Sequence, residues 1–413
     1  MSQAGQCNIG TVIGPLRWLL GGLVLSAVGV VAAMPYVDAA AFVARAADLP
    51  GAPAMLAAWR SSPIGAIEDR RVPTRYGYVP GRVYGPAHGF SRTIVLVPGV
   101  HRDGIDEVRL VALARDLAES GYGVLTVAAP DLQRYRITPA VTDVIEDAVR
   151  WAADQPALAP DARVGVLGVS FSGGLSIVAA GRASIRDRVA FLLSFGGHGD
   201  LARVMHYLCS GDVGGDLARA RHSPLVLGAE QVAVHPPHDY GVAVVLLTLA
   251  GRVVPPEQVG PLSTGIEGFL LASSLDMVDK PRATSEFARM RAYAETLDEP
   301  ARTLMRRVND RDVAALGRRL LPVVDAMADH PAMPALSPER APAPPVAPVF
   351  LLHGSDDNVI PSIETVLLAD YLQGKVPVRG LLSGLITHAE VDRPPTATEA
   401  WRLASFWRQV LEN

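Results

Sequence analysis

The chain has 413 residues, 49% of them hydrophobic and 19% charged, with a formal net charge of -4 and two cysteines. That is apolar material for more than one domain of about 100 to 200 residues, or for one domain with a large insertion. Lys and Arg are scattered, which excludes a basic nucleic-acid footprint, and Cys7 and Cys209 are too few for a disulfide framework.

No residue from Trp18 to Val37 is charged, a run of 20 positions between Arg17 and Asp38. A helix of about that length crosses the ~30 Å hydrocarbon of a bilayer. The leading reading of residues 1–37 is an uncleaved membrane anchor; a cleaved secretory signal ending near Ala39-Ala40-Ala41 and a buried core helix are the alternatives. Arg17 on the near flank keeps the N-terminus cytoplasmic and puts the rest of the chain outside, single-pass or secreted. No second span follows, since the apolar run Gly241 to Gly251 is too short.

Residues 38–70, rich in Ala and Pro, read as a connector with a short helix around Pro53 to Arg60. Arg71 to Pro86 reads as short strands broken by turns at Gly77 and Pro80-Gly81. Strands and helices then alternate, which predicts parallel strands with crossover helices: strands at Thr93 to Val97, Tyr122 to Ala128, Arg163 to Val169 and Val189 to Phe195. Helices are expected around Asp106 to Ser120, from Thr138-Pro139 onward and after Ser170. Late in the chain, strands at Pro348 to Leu352 and Val376 to Leu382 alternate with helices at Pro361 to Leu372 and Thr396 to Leu411. The core is thus expected over 71–197 and 346–413. Residues 198–345 lack strand alternation and are too long for a loop, so they read as an inserted helical subdomain, returned to the sheet by a Pro-rich stretch.

Three strand ends carry groups suited to covalent catalysis. Residues 163–174 read RVGVLGVSFSGG, a buried strand passing through Gly168-Val169-Ser170-Phe171-Ser172 into a helix start. Small residues at 168 and 172 allow a sharp strand-to-helix turn that lifts the Ser170 hydroxyl clear of the sheet, where a helix-capping serine is the bland alternative. The strand ending at Leu352 runs into His353-Gly354-Ser355-Asp356-Asp357, and the next into a loop holding His388. Sites in open α/β sheets gather at the C-terminal edge, so an alcohol, a carboxylate and an imidazole can converge there.

In this Ser, Asp, His order the chain resembles the α/β-hydrolase superfamily over roughly residues 70–196 and 346–411. The elbow at Gly168 to Gly173, the Val97-Pro98-Gly99-Val100 turn and the Gly354-x-x-Asp357-x-x-Ile360-Pro361 loop carry the likeness. It implies Ser170 as nucleophile, Asp357 as acid and His388 as base, with the backbone N–H groups of Phe171 and Val100 as the oxyanion hole. It also implies a helical lid in the insertion. The chain departs from the pattern with Ser172 in place of the usual glycine, and with an oxyanion turn that lacks a His-Gly pair.

Chemically, His388 would take the Ser170 proton during attack and return it to the leaving group, while Asp357 fixes the imidazole tautomer. Rivals for these roles are Ser172, Asp356 and Asp200, the last read as a helix cap. His101, Arg102 and Asp103 read as a solvated loop able to touch a polar substrate, and His235-Pro236-Pro237-His238-Asp239 as a turn rather than a metal site. The expectation is a serine hydrolase of carboxylic esters, lipid or other apolar acyl esters favoured by the nearby membrane segment. No cofactor, metal or nucleic acid is involved. Peptide or amide cleavage, acyl transfer, or a non-catalytic binding scaffold are the alternatives.

Overall fold

The computed structural model describes residues 31–276, 278–386 and 396–413. Among these described residues nine strands form one sheet: β1 (Ile64–Thr74), β2 (Gly77–Pro86), β3 (Thr93–Val97), β4 (Gly123–Val127), β5 (Val164–Val169), β6 (Val189–Phe195), β7 (Val226–Leu227), β8 (Val349–Gly354) and β9 (Val378–Ser383). Their spatial order is β1-β2-β4-β3-β5-β6-β8-β9-β7. β1 and β2 are antiparallel and β2 joins β4 antiparallel; every other pairing is parallel. The parallel strands are continuous apolar runs because helices cover both of their faces. All of them therefore end at one edge.

Residues alternate between two cores along each strand. Ile94, Leu96, Leu167, Leu193 and Leu352 face helix α1 (residues 31–46), which precedes α2 (Ala52–Trp59), together with α3 (Val108–Glu119). Val95, Val97, Val166, Leu192 and Leu351 face the other way. There the chain adds α4 (Pro130–Gln133), α5 (Pro139–Ala153) and α6 (Phe171–Ala180). That second core runs on without a break into the insertion, made of α7 (Leu201–Ser210), α8 (Leu217–Ala220), α9 (Asp239–Val253), α10 (Pro256–Leu275), α11 (Lys280–Ala294), α12 (Ala301–Asn309) and α13 (Val313–Met327). Helix α14 (Ile363–Leu372) covers the same face, and α15 (Ala397–Leu411) closes the first one beside α1.

Three departures from the sequence expectation have physical reasons. Pro80-Gly81 is not a turn: β2 runs through it, and a Cβ on Gly81 would lie 2.8 Å from Val72 Cγ2 and 3.1 Å from the Thr126 carbonyl, so the glycine serves close strand packing. The insertion is not purely helical, since Val226 and Leu227 pair in parallel with Gly380 and Leu381 and extend the sheet. The stretch 38–70 contains the end of α1, which buries Ala39, Phe42 and Val43 against Trp407, then α2 and the start of β1. As for the expected membrane span, Trp18 to Val37, most of it lies outside the described residues. Among the described ones no helix is long and apolar enough to cross a membrane.

Candidate active site

Ser170 stands between the end of β5 and the first residue of α6 with φ 58° and ψ −133°. A non-glycine residue there is strained, at a cost of order 1–3 kcal/mol, and such strain gathers at functional sites. The turn is held from several sides. The Ser170 N–H donates to the Phe195 carbonyl at 2.7 Å, and the Gly173 N–H donates to the Ser170 carbonyl at 2.8 Å. Gly168 has no room for a side chain, because a Cβ would sit 2.3 Å from the Ser172 carbonyl oxygen. Ser172 is buried and its hydroxyl lies 3.0 Å from the Val97 carbonyl and 2.8 Å from that of Val169. Its bonding is used up inside the turn. Ser170, half-buried, keeps its side chain at the sheet edge.

The carboxylate comes from the loop after β8. Asp357 is buried, and its Oδ1 accepts from the N–H groups of Val359 at 2.8 Å and Ile360 at 3.0 Å. Its Oδ2 lies 3.4 Å from Nε2 of the fully buried His353, whose Nδ1 meets Thr365 Oγ1 at 2.7 Å. Neighbouring Asp356 is exposed. Register places Asp357 across from the elbow: Val169 pairs with Phe195, Phe195 with Leu352, and Asp357 follows five residues on. Two strand spacings separate β5 from β8, about 10 Å. A Cβ on Gly196, the residue between them, would come within 3.6 Å of Asp357 Oδ2. His388 lies outside the described residues; the Ile386 carbonyl lies 2.3 Å from where a Cβ on Gly354 would be.

On the other flank, Gly99 packs against the elbow, with its would-be Cβ 3.2 Å from Ser170 Cβ. That contact brings the half-buried Val100 next to the start of α6, where the Phe171 N–H, at the first position of the helix, has no intrahelical partner. His101 follows; its Nδ1 accepts from the Asp103 N–H at 3.2 Å, and burial pushes its pKa down, keeping it neutral. Gln133 Nε2 donates to the Arg102 carbonyl and ties this loop to α4.

Behind the elbow lies a set of groups that sequence reading missed. His198 is fully buried, its ring 5.6 Å from that of Phe171, and its Nε2 meets the Leu336 carbonyl at 2.8 Å while Nδ1 has no partner. Burial pushes its pKa down to about 4. Glu364, also fully buried, accepts from the N–H groups of Gly199 and Asp200 at 2.9 and 3.1 Å and pairs with Arg203, which in turn reaches Glu339. Tyr135 adopts φ 57° and its buried hydroxyl has no partner. Asp200 caps α7, accepting from Ala202 N–H, and pairs with Arg340, so it stands apart as a helix cap. His238 caps α9, Asp239 pairs with Arg311, and no group of three or more metal-ligating side chains exists among the described residues. The buried Cys209 thiol, pushed up to about 12, is no competing nucleophile.

A mostly parallel sheet in this strand order, with a strained serine turn after β5 and a buried aspartate in the loop after β8, settles the architecture. The chain has the α/β-hydrolase fold. No protein-family model matches it, and no curated protein matches it in sequence. Among solved structures, it is similar to a Pyrobaculum calidifontis esterase at 16% identity, covering 87% of this chain and 88% of that one, TM-score 0.41. It is also similar to a thermophilic carboxylesterase cloned from a metagenomic library, at 17% identity over 87% and 94% of the two chains, TM-score 0.41. A third is brefeldin A esterase, described as a bacterial homologue of human hormone sensitive lipase, at 14% identity over 92% and 83%, TM-score 0.40.

A small apolar cavity of about 20 Å³ lies where the insertion meets the elbow helix, lined by Ile137 and Phe171 below and by Met205, Leu208, Val244 and Thr248 above. It has room for about one water molecule. Helices α7 and α9 therefore pack directly over the residue that follows Ser170.

Proposed function

We propose that the protein is a serine hydrolase that cleaves carboxylic esters through an acyl-enzyme on Ser170. The observation that carries this reading is the strained φ of Ser170, at the sheet edge it shares with the buried carboxylate of Asp357. Strain at a serine whose side chain makes no capping bond has no structural benefit to offset its cost, whereas an elbow that presents a hydroxyl does.

In this reading Ser170 Oγ attacks the ester carbonyl and His388 accepts its proton, then returns it to the leaving alcohol. Asp357, fixed by two backbone N–H groups, would orient the imidazole and stabilise its protonated form. The developing oxyanion would be met by the N–H groups of Phe171 and Val100; losing one such donor typically costs ~10² to 10³ in rate. Water attack on the acyl-enzyme, again with His388 as base, releases the acid.

A fluorophosphonate probe tests it. The wild-type protein and Ser172→Ala are expected to label, and Ser170→Ala is not. Folded wild-type protein that stays unlabelled sinks the reading. Turnover of short peptide amides with none of p-nitrophenyl esters would replace esterase by amidase.

A further inference from the structure

We propose that the sheet edge carrying Ser170 is seated on a lipid bilayer through the first turn of α1 and Trp401, so that apolar esters reach the site from the membrane. The second half of this statement rests on the hydrolase reading; the seating does not.

Helix α1 changes character along its length. Its later residues Ala39, Phe42 and Val43 are buried in the domain, whereas residues 31–33 are exposed and apolar, Val31 by 70%. Just beyond them the Tyr36 ring stacks on Trp401 with centroids 5.2 Å apart, and Trp401 remains 59% exposed. Arg408 covers Tyr36 from 4.6 Å. Amphipathic aromatics beside an arginine, next to uncovered aliphatic surface, suit the boundary between headgroups and acyl chains.

The sequence says what covers this patch. The exposed turn is the tail of the uncharged run from Trp18 to Val37, and charge resumes only at Asp38. A run of that length matches the hydrocarbon thickness of a bilayer, which no surface of a soluble partner requires. The patch also lies at the catalytic edge. Trp401 falls in the second turn of α15, which follows β9 past its C-terminal end, and its neighbour Arg402 binds Glu230, three residues after the end of the parallel strand β7.

The test uses the full chain in phosphatidylcholine vesicles whose acyl chains carry bromine, a short-range quencher of tryptophan emission. Trp401→Phe is expected to lose part of the quenched emission; an unchanged quenched component overturns the seating. In the same vesicles Trp401→Ser is expected to slow turnover of an embedded long-chain ester roughly tenfold. Soluble p-nitrophenyl acetate should be turned over as by the wild type. Equal losses on both substrates make Trp401 a structural residue and overturn the proposal. Wild-type protein inert toward both esters defeats the hydrolase reading, and the bromine result then still decides the seating.

Discussion

Part of the acid destabilisation of this protein should come from the His198 imidazole. His198 is held neutral by burial, at about 4 against its usual 6.5, with Nε2 donating to the Leu336 carbonyl. In the unfolded chain the same group takes up a proton near 6.5, so between 6.5 and 4 the unfolded state binds more protons and stability falls as the pH falls. Linkage across those two values gives a loss of about 2 kcal/mol by pH 5 and about 3 kcal/mol by pH 4, nearly none of it expressed at pH 7. Urea unfolding at pH 7, 5 and 4 reads the loss directly. The comparison is His198→Asn, which lacks a group titrating in this window. The variant should be less stable at pH 7, because the imidazole fills space beside Phe171, yet its stability should change less on acidification by the amounts given. Parallel pH profiles for the two proteins would refute the argument, since they would mean that the imidazole charges as easily folded as unfolded. The elbow bears the consequence: His198 backs Phe171 and lies against Gly174, whose would-be Cβ falls 2.7 Å from Nδ1.

Two further substitutions probe the acid loop and its support. Asp357→Asn keeps an acceptor for the Val359 and Ile360 N–H groups, so urea unfolding should shift little, but under the proposed mechanism it presents an amide where the imidazole would need a carboxylate; kcat on a soluble ester should then drop about 10⁴-fold, and a loss under tenfold would exclude Asp357 as the acid. Glu364→Ala strips a buried carboxylate from Arg203 and from two backbone donors and should cost about 3 to 5 kcal/mol in urea unfolding at pH 7. Glu364→Gln, whose amide oxygen still accepts from Gly199 and Asp200, should cost distinctly less, and equal losses would show that the backbone bonds contribute nothing.

The sheet was legible because its interior strands are uninterrupted apolar runs, and the elbow because its small residues answer to contact distances that any side chain would violate. The motif after β8 pointed to Asp357 over Asp356; the structure buries the first and exposes the second, a difference in burial that residue type does not carry. What escaped notice is mostly long-range. His198 finds its carbonyl 138 residues away and Glu364 its N–H donors 165 and 164 residues away, so periodicity, a local property, carries no trace of either. Proline and glycine at 80 and 81 misled for a related reason: the closeness of Val72 that demands a glycine is set by strand pairing. Tyr135 and its left-handed backbone are likewise invisible in residue type, since a tyrosine carries no signal for positive φ.

The two residues that the insertion lends to the sheet limit how far this architecture is modular. A capping region that only rested on the scaffold could be swapped or trimmed by recombination at its ends. Here Val226 reaches so close to Gly380 that a Cβ there would be 2.6 Å from its Cγ2, and it shields the rim of β9. Excising residues 198–347 would leave that rim as a bare template for pairing with other chains, and clumping rather than a smaller folded domain is the outcome such surgery invites.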